Sequence, residues 1–270
     1  MRLRQRREQL GIEVRAITEA LNFTRNYWSA VENDRKILTT EKLGMLLTVF
    51  EFDEDERREL MELREAAKER GWWTRYSALF SEQVLRFYGL EHGAQAIRTY
   101  ENLLIPGLLQ SEAYARALVS ADVTVRPVEV DERVQFRRRR QQRIGGEDPL
   151  HLTVLLSEAA LLQQIGGPEV LRDQLVHLAK LIEEHRDTVE VRIIPFTATG
   201  CGLFGASTLY LIDFASPRLP SVAYQETVTA VGIIEDTNAL RDMSRTYSEA
   251  LGDSLSADDS LALILSCLAR

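Results

Sequence analysis

Residues 12–36 read IEVRAITEALNFTRNYWSAVENDRK, and their spacing predicts a helix, a tight turn and a second helix. Val14, Ile17 and Leu21 fall on one face of the first helix, while Arg15 and Glu19 point outward. Asn22 tolerates the left-handed conformation at which a helix stops, Phe23 fills the turn, and Thr24 suits the N-cap of a helix from Arg25 to about Asn33. On that second helix Trp28 and Val31 are three apart and are expected to pack inward with Phe23. Arg25, Asn26, Tyr27, Ser29 and Ala30 are left on the outer face near its start.

Such a face suits a recognition helix, whose N-terminal residues meet base edges in the major groove, where Arg pairs with guanine and Asn with adenine. Arg25, Asn26, Tyr27 and Ser29 are the candidate base readers, with Thr24 at the helix start. Arg15, Arg35 and Lys36 are placed to meet phosphate. The same spacing also fits an ordinary helical hairpin whose polar face is merely solvated.

The segment resembles the helix-turn-helix of the XRE (phage-repressor-like) family, with Thr24-Arg25 opening the recognition helix and Val31-Glu32-Asn33 closing it. Three further stretches are similar to the C-terminal domain of a group of antitoxin-like regulators from actinobacteria: WWTRY at 72–76, IRTYENLLIPGLLQSEAYA at 97–115 and GGPEVLRDQL at 166–175. The resemblance implies a transcription factor, often encoded beside a very small partner protein, with no known enzyme activity. Two positions depart from the family pattern. Arg6 stands where relatives carry an apolar residue, and Val14 where they often place a phosphate-holding Gln, so the resemblance implies fewer DNA contacts from the first helix of the motif.

The 270 residues suit one or two soluble domains, with 45% hydrophobic and 27% charged side chains. No run reaches the 18 or so apolar residues of a membrane span, and MRLRQRREQL lacks the apolar region of a signal peptide, so no membrane association and a cytoplasmic location are expected. Cys201 and Cys267, far apart and outside any CxxC spacing, argue against a disulfide framework and a structural zinc site. The net charge of −8 divides unevenly: residues 1–36 hold eight basic and five acidic side chains, the remainder 25 basic and 36 acidic. An acidic body with a basic end permits DNA binding without proving it.

Along the chain, a helix from Arg2 to Leu10 stops at Gly11, Thr40 is expected to cap a helix carrying Leu43, Leu46, Leu47 and Phe50, and Asp53 opens another running to about Arg70. Trp72 and Trp73 are expected to anchor the core of the second domain. Tyr76–Leu90 reads as a helix, Ala96–Glu101 as a strand, and Ser111–Val119 as a helix after an Ile105-Pro106-Gly107 turn. Glu129–Ile144 is helical and carries Arg133, Arg137, Arg138, Arg139, Arg140 and Arg143. Its charge reads either as a solvated or internally paired face, or as a contact for DNA backbone or an acidic partner. Residues 150–195 read as a strand, a helix begun by Pro168 and a second strand; three short runs to Ile233 suggest an antiparallel meander, and two helices follow.

Other chemistry is largely excluded. GCGLFG at 200–205 has dinucleotide-turn spacing, but the strand-like STLYLIDF follows where a helix is required, leaving at most a loop over a pocket. His92, His151, His177 and His185 lack metal-ligand spacing, and no nucleophile elbow, P-loop or HExxH is present. No catalytic residue, cofactor or metal is expected. The reading is therefore an α+β chain: an all-α, five-helix, lambda-repressor-like helix-turn-helix domain over 1–70, then a mixed α/β domain with an antiparallel-rich sheet over 71–270. It is read as a homodimeric transcriptional regulator on a pseudo-palindromic double-stranded operator, the second domain acting through a ligand or a small partner protein encoded nearby. The alternative is an antitoxin-like interaction module whose DNA binding is secondary.

Overall fold

The computed structural model describes residues 2–32, 36–68, 71–227 and 230–268. They form two compact units, residues 1–74 with 218–220 and residues 75–217 with 221–270.

The first unit is all helical: α1 (Arg2–Gln9), α2 (Val14–Ala20), α3 (Arg25–Glu32), α4 (Thr40–Val49) and α5 (Glu54–Lys68). Its core gathers Ile17, Phe23, Trp28 and Val31 with Leu43, Leu46, Leu47, Phe50, Phe52 and Leu60. The expected cap of α4 is displaced by one residue: Thr39, not Thr40, accepts from the Lys42 amide at 3.2 Å. Before α5, Asp53 accepts from the Glu56 amide at 2.7 Å, and the Glu56 carboxylate accepts back from the Asp53 amide at 3.1 Å. This reciprocal capping box satisfies two donors that the helix start leaves open.

Arg6 has a physical reason to occupy an apolar position. Its Nε donates to the Phe50 carbonyl at 3.0 Å and Nη2 to the Glu51 carbonyl at 2.9 Å, while the guanidinium lies 5.5 Å from the Phe52 ring centre. The cation thus serves the open carbonyl end of α4, and its stem and plane supply the missing packing.

The second unit is built on a mixed sheet of order β3-β2-β1-β4-β5-β6 among the described residues. Its elements are α6 (Glu82–His92), β1 (Ala96–Glu101), α7 (Glu112–Ala121), α8 (Val130–Gln141), β2 (His151–Ser157), α9 (Pro168–Glu184), β3 (Val189–Ile194), β4 (Thr208–Asp213), β5 (Val222–Glu226), β6 (Val231–Ile234), α10 (Thr237–Asp253) and α11 (Ala257–Cys267). β1–β2 and β2–β3 pair parallel, across the α7–α8 and α9 connections; β4, β5 and β6 pair antiparallel and continue from β1. Alternation along the strands divides two cores. Ile97, Val154, Val191, Tyr210 and Tyr224 face one layer with residues of α6, α9 and α11, whereas Tyr100, Leu155, Leu209, Leu211 and Ala223 face Tyr247 and Ala250 of α10.

Several expectations are corrected. Trp72 and Trp73 lie in a 3₁₀ turn, half-buried and edge-to-face on each other at 6.1 Å; neither joins a core cluster, and Tyr76 is the buried aromatic of that turn. The helix expected over Tyr76–Leu90 begins only after Ser81, whose hydroxyl accepts from the Val84 amide, and it buries Phe87 and Glu91. The 200–205 loop packs on α10's layer: Leu203 is buried there, and a Cβ at Gly202 would meet Thr246 at 2.9 Å. No helix among the described residues is long and apolar enough to cross a membrane.

Candidate nucleic-acid interface

The turn between α2 and α3 is fixed by local chemistry. Asn22 has φ +51°, the left-handed value for which its short polar side chain suits it. The Phe23 amide donates to the Thr18 carbonyl at 2.9 Å, closing α2. Thr24 then caps α3, its hydroxyl accepting from the Tyr27 amide at 3.1 Å.

Behind α3, Trp28 is 1% exposed, stacked on Phe23 at 6.3 Å and edge-on to Phe50 at 6.3 Å, with Val31 buried one turn later. These contacts fix the rotation of the helix about its axis. Arg25, Asn26 and Ser29 are exposed on the opposite side. Among the described residues Arg25 makes no ion pair, so its guanidinium is open to an incoming acceptor.

The other site residues divide. Tyr27 is not the free outer residue the spacing predicts: it is half-buried, tilted against Phe23 at 4.9 Å. Lys36 Nζ lies 5.1 Å from its ring centre and Lys42 Nζ 4.9 Å. The ring therefore positions two cations beside the recognition helix. Lys42 is absent from the sequence reading because only the packing of the first turn of α4 against Phe23 and Tyr27 brings it there. Arg15 is exposed and paired with Glu19 at 2.7 Å, an i,i+4 surface pair weak enough to yield to phosphate. Arg35 lies outside the described residues.

The basic count of residues 1–36 overstates the face available to DNA. Arg2 is 6% exposed and paired with Glu56 and Glu59 at 3.4 and 2.9 Å, Arg7 holds Glu32 at 2.7 Å, Arg4 lies 3.5 Å from Glu8, and Arg6 serves α4. Among the described residues, the cations presented around α3 are thus Arg25, Lys36 and Lys42, with Arg15 at the edge.

In the second unit the arginine-rich helix turns much of its charge inward. Arg140 is paired with Glu91 through two short bonds, Nε–Oε1 at 2.7 Å and Nη2–Oε2 at 2.6 Å, with side-chain exposures of 7% and 3%. Burial alone would lower the Arg140 guanidinium, but the Glu91 charge and bonds outweigh it and hold it above its ordinary range. Arg133 reaches Glu129 at 3.0 Å and the Leu79 carbonyl at 2.6 Å, and Arg138 pairs with Glu112 at 2.9 Å on the surface. Of the open readings, internal pairing describes these three.

Residues 1–60 match a family described as Helix-turn-helix domain, and residues 84–266 match the family Domain of unknown function (DUF5753). No curated protein and no solved structure matches the chain. The second match spans more than half of the sequence, so the chain belongs to the DUF5753 family and carries a helix-turn-helix domain ahead of it.

Proposed function

We propose that this family member is a sequence-specific transcriptional regulator of the XRE type, with α3 seated in the major groove of its operator. The observation that carries the reading is the first turn of α3. Arg25 and Asn26 stand exposed there, Arg25 has no acidic partner among the described residues, and the buried Trp28 locks the helix from behind. Arg25 and Asn26 read bases with Ser29. Lys36 and Lys42, held over Tyr27, meet phosphate together with Arg15, and Arg35 follows α3 in sequence. One small module buries little surface, so the working species is a homodimer on two half-sites about 10 bp apart or a multiple of that. The second unit supplies the dimer contact and the control, as an antitoxin-like domain answering to a ligand or a small partner protein, and the reading contains no catalytic step.

The test is binding to the chain's own upstream DNA and to a scrambled duplex at two salt concentrations. Arg25→Ala is expected to lose about 1–3 kcal/mol on the cognate duplex and little on the scrambled one, whereas Lys36→Ala weakens both alike and flattens the salt dependence. Equal losses on both duplexes for Arg25→Ala overturn the base-reading assignment.

A further inference from the structure

The second unit contains a cavity of about 1060 Å³ that the DNA-reading proposal does not use. It lies beside β1, β4 and β5, is lined by α6, by α8 and by the segment after β1, and is partly open to solvent. That volume is at the upper end of what small-molecule sites occupy.

Its wall after β1 is built rigidly. Gln110 Nε2 donates to the Ile105 carbonyl at 2.6 Å, Gln141 Nε2 to the Gly107 and Gln110 carbonyls at 2.9 and 2.8 Å, and Gln174 joins the Ser111 amide and the Leu109 carbonyl at 2.7 and 2.9 Å. At Gly107 this backbone runs beside the arginines of α8: a Cβ there would lie in ordinary contact with Arg140 Nη1 at 3.4 Å and Arg137 Nε at 3.5 Å. A second wall is aromatic, with Phe136 4.7 Å from Phe80 and 4.6 Å from Tyr88.

One lining side chain lacks what its neighbours have. Arg140 has Glu91 and Arg133 has Glu129, but Arg137 makes no hydrogen bond or ion pair among the described residues. Its Nη1 is fully buried without a partner, and burial pulls the guanidinium below its ordinary value. Two carboxylates also border the cavity, and neither bonds Arg137, although the Glu226 charge acts on it. Glu101 accepts from Thr208 at 2.8 Å and Tyr210 at 3.1 Å, and Glu226 accepts from Tyr224 at 3.1 Å. Arg137 is half-buried, and a guanidinium nitrogen enclosed without an acceptor costs stability unless a ligand supplies one.

We propose that this cavity binds a small amphipathic carboxylate, its anionic head on Arg137 and its apolar body against Phe80, Tyr88 and Phe136. A carboxylate matches the guanidinium fork in two parallel bonds, and the aromatic wall gains only from an apolar body. The assignment does not depend on how α3 reads DNA.

The test is thermal shift and calorimetric titration of the full chain with phenylacetate and octanoate, each beside its neutral amide. Each acid is expected to bind at least tenfold tighter than its amide. Arg137→Met abolishes that preference, and Arg138→Met, which alters an exposed pair, preserves it. A purely structural Arg137 makes a different prediction, a lower melting temperature for unliganded Arg137→Met, whereas a binding arginine leaves it equal or higher. Equal affinity for acid and amide, no binding of either acid, or destabilised unliganded Arg137→Met overturns the proposal. Failure of unliganded Arg137→Met to fold is the extreme of that destabilisation and overturns the proposal in the same way.

Discussion

Replacing Glu91 by Gln removes one charge and almost no volume from the second unit. In the native arrangement the Arg140 guanidinium gives two bonds of 2.7 and 2.6 Å to that carboxylate, lies 4.3 Å from the Tyr88 ring centre, and is 7% exposed. The substituted side chain would keep one acceptor and turn an amide donor toward a cation that cannot accept. Breaking one side of such a pair costs about 3–5 kcal/mol, because the remaining charge stays buried without compensation. For a unit of this size each kcal/mol moves the melting temperature by about 2–4 °C, so Glu91→Gln is expected to melt roughly 6–20 °C lower.

The double variant Glu91→Leu with Arg140→Met decides whether charge or shape is responsible. Removing both ions at similar volume is commonly neutral or stabilising, by about 1–4 kcal/mol, so the double variant should recover most of the loss. Urea denaturation followed by near-ultraviolet circular dichroism reads both. A Glu91→Gln cost below about 1 kcal/mol, or a double variant no better than the single, refutes the argument that uncompensated charge sets the energy.

Three other outcomes follow from the same geometry. Burial pushes the Glu101 carboxyl up to about 7 from 4.5, against the bonds from Thr208 and Tyr210 that would lower it. A raised folded value gives stability that is full below about pH 4.5 and lost as pH rises through about 7, on the order of 3 kcal/mol. Glu101→Gln should therefore match the parent chain at pH 5 and exceed it at pH 8.5 in urea midpoint; parallel profiles count against this. Gln174→Leu strands the Ser111 amide and the Leu109 carbonyl and should cost about 2–5 kcal/mol, read by chemical denaturation, with a loss under about 1 kcal/mol disproving the bridging role. If Arg15, Lys36 and Lys42 are the phosphate contacts of each protomer in a dimer, log K against log salt should have a slope of about −5, and a slope steeper than about −8 would require further cations.

The turn chemistry of residues 21–24 was legible because it is local: an Asn with positive φ, a Thr cap and an apolar residue between them need no distant partner. The strands were legible for a similar reason, since alternation writes burial directly into the sequence; Ala96–Glu101 has the bounds its pattern implies, and the 150–195 run pairs as the parallel β2 and β3 across α9. Position in the chain did not reveal the direction of charge. Arg140 finds its partner 49 residues away on α6, Arg6 finds its carbonyls 44 and 45 residues away, and neither distance leaves a periodic trace. The tryptophan pair misleads for the opposite reason. Large apolar area predicts burial on average, but Trp72 and Trp73 stay half-buried, edge-to-face on each other. On the candidate face, the exposure of Arg25 and Asn26 was legible in the spacing, while the placement of Lys42 and the aromatic support of Lys36 required the packing of α4.

The distribution of charge also bears on how such a regulator can be controlled. Arg2, Arg6 and Arg7 hold α1 to α5, α4 and α3, and the whole chain carries a net charge of −8. Among the described residues few cations of the first unit are left to attract DNA, and the net negative charge of the chain works against long-range attraction. In the proposed homodimer, affinity comes from pairing two α3 helices on the operator and becomes sensitive to anything that alters the pairing. A coupling free energy of only about 1.4 kcal/mol between a site in the second unit and operator binding changes occupancy tenfold at low protein concentration. A carboxylate paired with an otherwise unsatisfied buried arginine yields about 1.5–3 kcal/mol for a charged hydrogen bond, which is enough to supply that coupling if only a part of it differs between the free and operator-bound states.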